Sequence, residues 1–332
     1  MALSSLGDLA QSFVLQRQNT ALKVQIQRLS EEAVSGTALD TAAQVAGDFQ
    51  PLVGIDASLA RLSGYRTATA EAALFSGAMQ TVLTLVDSVA STLSTTLLAA
   101  SSTISADRVN AMGIQARQSL DSTVSAFNTR LGDRTLFAGQ ASNGAALLDA
   151  DQMMTAIEAA VEGATTAAGV EQAVTDWFRS PTGFGAAYLG GAALADLRIA
   201  PGDSASLDIT ARDPAVRDTL RGMAMAALLD RGVLASDPGA RSDLAARAAS
   251  QLRDAAEDRT YLASRLGSVE AQIEDAKVRN AAETSALELA RVEIVAVDPY
   301  ETATRLEAAQ TQLETLYALT ARMTRMTLVD YL

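Results

Sequence analysis

The 332-residue chain contains no cysteine and no histidine. Without cysteine there is no disulfide framework, no zinc–thiolate centre and no thiol nucleophile. Without histidine the commonest general base and the commonest metal ligand are missing as well. Carboxylates are what remain for catalysis. Glu31-Glu32, Glu257-Asp258 and Glu270/Glu274 fall in helical patterns beside Arg or Lys and read as solvated helix faces. Neither GxxxxGK[ST] nor GxGxxG occurs. No catalytic residue, cofactor or metal is expected, so the chain reads as a non-enzyme.

Aromatic residues are scarce at 4%, with a single tryptophan, and alanine is abundant, which favours helix over a β-sandwich. Positive charge is also in deficit: 26 basic against 39 acidic residues leave a net charge of −13. That argues against nucleic acid and anionic lipid as partners. No stretch approaches the ~20 uninterrupted apolar residues of a spanning helix. The opening "MALSSLGDLAQSFVLQ" has neither a basic n-region nor a continuous apolar h-region, so no cleavable signal peptide is expected. A soluble chain, or one exported without such a signal, fits these absences.

Helical periodicity dominates what is present. Leu15, Leu22 and Leu29 recur every seven residues, with Asn19, Ile26 and Ala33 between them, the spacing of a seam between paired helices. Ser35-Gly36 ends this helix, and residues 36–51 read as an irregular connector. From Leu52 to about Ala100 no proline interrupts the pattern. A helix of about 45 residues would be about 65 Å long, too long for a compact globule. Helix resumes through Val109, Met112, Leu120, Val124, Phe127 and Leu131 and stops at "GDRTLFAGQ".

Residues 140–235 differ in character. Two short helical patterns, 151–168 and 170–178, precede the glycine-rich "SPTGFGAAYLGGAA". A β-hairpin is expected around Pro201-Gly202-Asp203, followed by a helix with Asp213 as N-cap and Pro214 at its first position. Trp177-Phe178 reads as core of this segment. A second long helix is expected from about Asp243 to Val297, supported by an Asp275–Arg279 pair at i,i+4. "VDPYE" then stops and restarts it: Asp298 is the N-cap, Pro299 the first helical position and Glu301 the third residue of a capping box. The last helix carries Leu306, Leu313 and Thr320 at sevens, with Ala309, Leu316 and Met323 interleaved.

The expected fold is mainly α: an elongated rod of long antiparallel helices from both termini, with a small α+β insertion domain in mid-chain. The parts are an N-terminal helix (1–35), a connector (36–51), the first half of the rod (52–140), the insertion (141–238), the second half of the rod (239–297) and a C-terminal helix (298–332). The layout is mirror-like and brings the terminal helices together. The sequence ends on the apolar "MTRMTLVDYL", whereas chain ends are usually frayed and polar. Its own domain or another molecule must cover it, and the mirror layout favours another molecule. The expected assembly interface is therefore Leu15, Leu22, Ile26, Leu29, Leu306, Leu313, Leu316, Met323, Leu328, Tyr331 and Leu332, with Asp298, Pro299 and Glu301 as the helix cap.

Three stretches carry a resemblance to the flagellin superfamily, and within it to the branch of hook–filament junction proteins. "LGDLAQSFVLQRQNTALKVQIQRLSEEAVSG" resembles the N-terminal heptad helix with its closing Ser-Gly step. "GDRTLFAGQ" is similar to the turn before the variable domain, with Thr135 where tyrosine is usual, and "YETATRLEAAQTQLETLYALTARMTRMTLVDYL" to the C-terminal helix. The resemblance covers roughly 1–140 and 240–332, with "ITARDPAVRDTLRGMAMAALL" matching between them. It implies termini paired in the inner tube of an axial structure and export of an unfolded chain by the flagellar type III apparatus. The implied partners are further copies in a ring, a second hook-associated junction protein, flagellin on the filament side and a cytosolic export chaperone. It implies a secreted protein of the extracellular flagellum. The filament subunit shares this topology, so flagellin is the alternative; a cytoplasmic coiled-coil scaffold is a third reading.

Overall fold

The computed structural model describes residues 2–101 and 106–329, with side chains described for 10–99 and 107–322. The chain is mainly α. Helices α1 (Ala2–Ser35), α2 (Thr41–Gln44), α3 (Gln50–Ser101) and α4 (Ala106–Phe127) come first. A hairpin of β1 (Arg130–Leu131) and β2 (Arg134–Thr135) leads to α5 (Ala150–Ala160), α6 (Ala167–Arg179) and α7 (Phe184–Ala187). A second hairpin, β3 (Leu197–Ala200) with β4 (Asp203–Ala205), precedes α8 (Pro214–Ala227), α9 (Pro238–Asp254), α10 (Ala256–Val295) and α11 (Pro299–Val329). Both sheets are antiparallel and two-stranded. Contacts divide the chain into one unit of residues 1–62 with 282–332 and another of residues 63–281.

The second unit holds most of the core, which is built around α8. This helix is buried nearly all round, from Ala215 and Val216 to Met223–Ala227, the mark of a central helix. Asp213 caps it by accepting from the Ala215 N–H at 3.2 Å, and Pro214 occupies its first turn. Gly222 lets α9 approach: a Cβ there would lie 2.8 Å from Cγ of Leu252. The "TLFAGQ" segment is threaded into the same core. The carbonyls of Phe137 and Ala138 accept from the N–H groups of Ala211 and Gly191, each at 2.9 Å. Gly139 has φ +57, and a Cβ on it would meet the Ala192 carbonyl at 2.2 Å. The Thr135 hydroxyl donates to the Gly144 carbonyl. Phe178 is buried and stacks on Phe184, and Trp177 meets it edge-on at 4.9 Å.

The expected single helix from Asp243 to Val297 is two helices, broken at Ala255. No proline or glycine marks the break. The buried Arg259 guanidinium occupies it, donating to the Leu252 carbonyl at 3.0 Å and to Asp87 at 2.8 Å. Nor does Arg279 pair with Asp275; it reaches Asp203 at the start of β4. The apolar part of α3 has a mean hydropathy of 1.5, enough in length and composition to cross a membrane. However, 39% of that window is buried inside the protein. Thr81, Thr84, Thr95 and Thr96 donate their hydroxyls to carbonyls one turn back.

Candidate assembly interface

In the first unit α1 and α11 lie side by side. The N-terminal end of α11 meets the C-terminal end of α1, and Tyr317 reaches Asn19 and Lys23, so the pair is antiparallel. At ~1.5 Å per residue the two helices are about 50 and 45 Å long.

One stripe on each helix faces the seam. On α1 it comprises half-buried Leu15, Asn19, Leu22 and Ile26 and buried Leu29 and Glu32. On α11 it comprises buried Thr302, Ala309 and Leu316 with half-buried Leu306 and Leu313. The steps of three and four average 3.5 residues, so the stripe follows one face of each helix. Leu22 falls near the level of Leu313 and Leu29 near that of Leu306. Met323 and Leu328 lie in α11, but their side chains are outside the described residues, as are Tyr331 and Leu332 altogether. Ala33, placed on the seam by the heptad, is exposed, and Glu32 takes its place.

Glu32 turns inward because the chain leaves the helix there. Its carboxylate accepts from the Leu39 N–H at 3.1 Å, and Arg28 stands 3.9 Å away. Gly36, at φ +69, closes α1 in the left-handed region open to glycine. Thr37 then bridges Ala296 in antiparallel fashion. Ala38 donates to the Val295 carbonyl at 2.8 Å and Val297 to the Gly36 carbonyl at 3.0 Å. The Gln44 amide adds a bond to the Ala296 carbonyl at 2.7 Å. The connector, expected to be irregular, is thus pinned to the joint between α10 and α11.

That joint carries the cap. Asp298 Oδ1 accepts from the N–H groups of Tyr300 at 2.8 Å and Glu301 at 3.0 Å, and Pro299 opens the helix. The Glu301 carboxylate turns instead to Arg305, one turn on. Tyr317 is exposed; hydrogen bonds from Asn19 and Lys23 stabilise its phenolate and lower its pKa from the ordinary 10.0.

The seam leaves much of the pair uncovered. Phe13, Val14, Val24 and Val34 on α1, and Tyr300, Tyr317 and Leu319 on α11, are exposed. A groove runs along one flank of the pair between Ala21, Leu22 and Gln25 on one helix and Thr315, Leu316 and Leu319 on the other. Periodicity alone could show these residues as off-seam but not as solvent-facing. Among the described residues no cluster of acidic side chains is gathered as a metal site. Chemically the arrangement can bind other helices.

Residues 250–332 match the family of the bacterial flagellin C-terminal helical region. No curated protein matches the sequence. Among 18 solved chains that match, one from Vibrio parahaemolyticus is described as a flagellar hook-associated protein. It shares the fold at a TM-score of 0.54 and 12% identity, over 73% of this chain and 95% of that one. The family match covers the last quarter of the chain, and the structural match shows a shared fold.

Proposed function

We propose that the chain is a structural subunit of the bacterial flagellum that joins hook to filament, the role of flagellar hook-associated protein 3. The observation that carries the proposal is the antiparallel α1–α11 pair, joined on one stripe and bare on its other faces, with α11 inside the flagellin-type match. A helix pair whose apolar side chains stay half covered is completed by neighbouring helices. Leu15, Leu22, Ile26, Leu29, Leu306, Leu313 and Leu316 hold the pair together, and Met323 is assigned to the same stripe by its spacing. The apolar end, with Leu328, Tyr331 and Leu332, meets the adjoining subunits.

In this reading the chain forms a ring of copies, with a second hook-associated junction protein on one side and flagellin on the other. It leaves the cell through the flagellar export apparatus after an export chaperone has held its C-terminal helix, and works outside the cell. The absence of cysteine suits a chain threaded unfolded through a narrow channel. Because the matched family is named for flagellin, the filament subunit is the second reading.

Deleting residues 323–332 tests the proposal. The truncated chain should be made and exported yet be missing from isolated flagella, and filaments should fail to grow on the hook. Unchanged incorporation would refute it. Copy number separates the two readings, since a ring uses few copies and a filament thousands.

A further inference from the structure

The sequence has five asparagines, Asn19, Asn110, Asn128, Asn143 and Asn280, and only Asn143 is followed by glycine. The fold treats that one differently from the other four. Asn19 lies within α1 and reaches Tyr317 on α11. Asn110, in α4, accepts from Arg241 at 2.6 Å. Asn128 accepts from the N–H groups of Ala146 and Leu147 at 2.8 and 2.9 Å and donates to the Leu147 carbonyl at 3.1 Å. Asn280 is buried and donates to the Ile199 carbonyl at 2.8 Å. Asn143 and Gly144 are exposed and lie outside every helix and strand. The Asn143 amide meets no partner among the described residues.

The turn that carries this pair is fixed at its flanks and loose at its tip. Thr135 grips it twice: its N–H donates to the Ser142 carbonyl at 2.8 Å and its hydroxyl to the Gly144 carbonyl. Asn128 holds the chain again at Ala146 and Leu147. Across the tip, the Gly144 N–H meets the Ala141 carbonyl only at 3.5 Å. That is well beyond the ~2.9 Å of an ordinary bond, so little restrains this nitrogen. Nothing lies within 4 Å of the place a Cβ on Gly144 would take. An unpaired carboxamide therefore stands beside a main-chain nitrogen that is weakly bonded and uncrowded.

We infer that Asn143-Gly144 is a site of spontaneous covalent modification, deamidation through a cyclic imide. The Gly144 nitrogen gives its proton to hydroxide from solvent and bonds to Cγ of Asn143. The Cγ–Nδ2 bond breaks, and Nδ2 takes a proton from water and leaves as ammonia. Water then opens the imide ring. Cleavage between Cγ and the nitrogen leaves aspartate; cleavage between the Asn143 main-chain carbonyl carbon and the nitrogen leaves isoaspartate. In sum one water is consumed and one ammonia released, and nothing is oxidised or reduced. Aspartate keeps the main chain as it was and adds a negative charge to the −13 already present. Isoaspartate routes the main chain through Cβ and Cγ. The path between the Ser142 and Gly144 carbonyls is then one carbon longer, and Thr135 can no longer hold both. The chemistry needs no partner and applies whatever the chain assembles with.

The full-length chain is kept folded in neutral buffer for several weeks, sampled and digested with trypsin. The peptide of residues 135–179 should give products about one mass unit heavier, NH2 having become OH. One of them should resist an aspartate-specific protease at position 143. Conversion there should exceed that at Asn19, Asn110, Asn128 and Asn280 at least about tenfold, because their local structure must open first. Gly144→Ala has room for its methyl group and should fold as the wild type does. It should convert at least about tenfold more slowly, since a Cβ restricts the approach of the nitrogen. Hydrogen exchange at the Thr135 amide should quicken in the isoaspartyl chain and stay slow in Asn143→Asp. The inference is overturned if residue 143 keeps its mass in the folded chain, if the other asparagines convert as fast, or if Gly144→Ala makes no difference. An isoaspartyl chain whose Thr135 amide exchanges at the original rate would overturn the loss of the Thr135 grip.

Discussion

Replacing Leu29 by alanine tests how little holds the terminal pair together. Among the described residues the first unit buries only Leu29, Leu52, Leu62, Val295, Ala309 and Leu316 as apolar side chains. Leu29 is 3% exposed and, among the described residues, is the only fully buried apolar residue on the α1 side of the seam. Leucine-to-alanine changes in closed cores cost about 2–5 kcal/mol. Here Ile26 and Leu306 are half exposed and water can enter the space left behind, so the lower end, about 2 kcal/mol, applies. Since ~1.4 kcal/mol is tenfold, opening of the pair becomes about 30-fold more frequent. Hydrogen exchange on the full chain should show that acceleration in amides of residues 22–32 and 302–313. Amides of α4 and α8, in the second unit, should be unchanged. The reasoning is refuted if the terminal amides keep their wild-type rates, or if α4 and α8 lose protection to the same extent.

Other positions give separate expectations. Arg241 is buried, its pKa is lowered by desolvation, and it donates to the carbonyls of Leu229 at 2.8 Å and Val233 at 3.0 Å. Arg241→Met removes the donor to the Val233 carbonyl and to Asn110 Oδ1 and should destabilise by about 2–3 kcal/mol, a fall of roughly 5–10 °C in Tm for the second unit; an unchanged Tm on calorimetry would contradict this. Asp298→Ala should cost about 1 kcal/mol, and Glu301→Ala no more than about 0.5 kcal/mol; equal losses in urea titrations would show that Asp298 is not the dominant cap. Gly139→Ala should lower Tm more than Gly202→Ala, since both have positive φ but only Gly139 would strike a carbonyl. Of the six tyrosines, Tyr317 should ionise before Tyr188, whose pKa burial raises. Tyr188 therefore stabilises the fold below pH ~10 and loses that contribution as pH rises through its raised value, whereas the Tyr317 contribution is complete above pH ~10 and is lost as pH falls through its lowered value. Ultraviolet titration of Tyr188→Phe and Tyr317→Phe variants gives the order directly.

Much of this was legible from spacing. The 3.5-residue repeat marks the seam on both terminal helices because packing against one partner covers one face and no more. Asp213-Pro214 and Asp298-Pro299 mark helix starts because their chemistry is local. Contacts distant in sequence leave no such trace. Arg279 prefers Asp203 to Asp275, four residues away, because the hairpin brings Asp203 within reach. The break at Ala255 has no breaker residue; it depends on Arg259 binding both Leu252 and Asp87. The bridge between Thr37 and Ala296 is too short to show a strand pattern. Glu32 replaced Ala33 on the seam for the same reason, since its partner, the Leu39 N–H, lies beyond the end of the helix.

The proposed place between hook and filament is tested most directly by gold-labelled antibody against the chain on isolated flagella. A single narrow band of label is expected where the hook ends and the filament begins. Label along the whole filament would make the chain a filament subunit, and flagella without label would contradict the account.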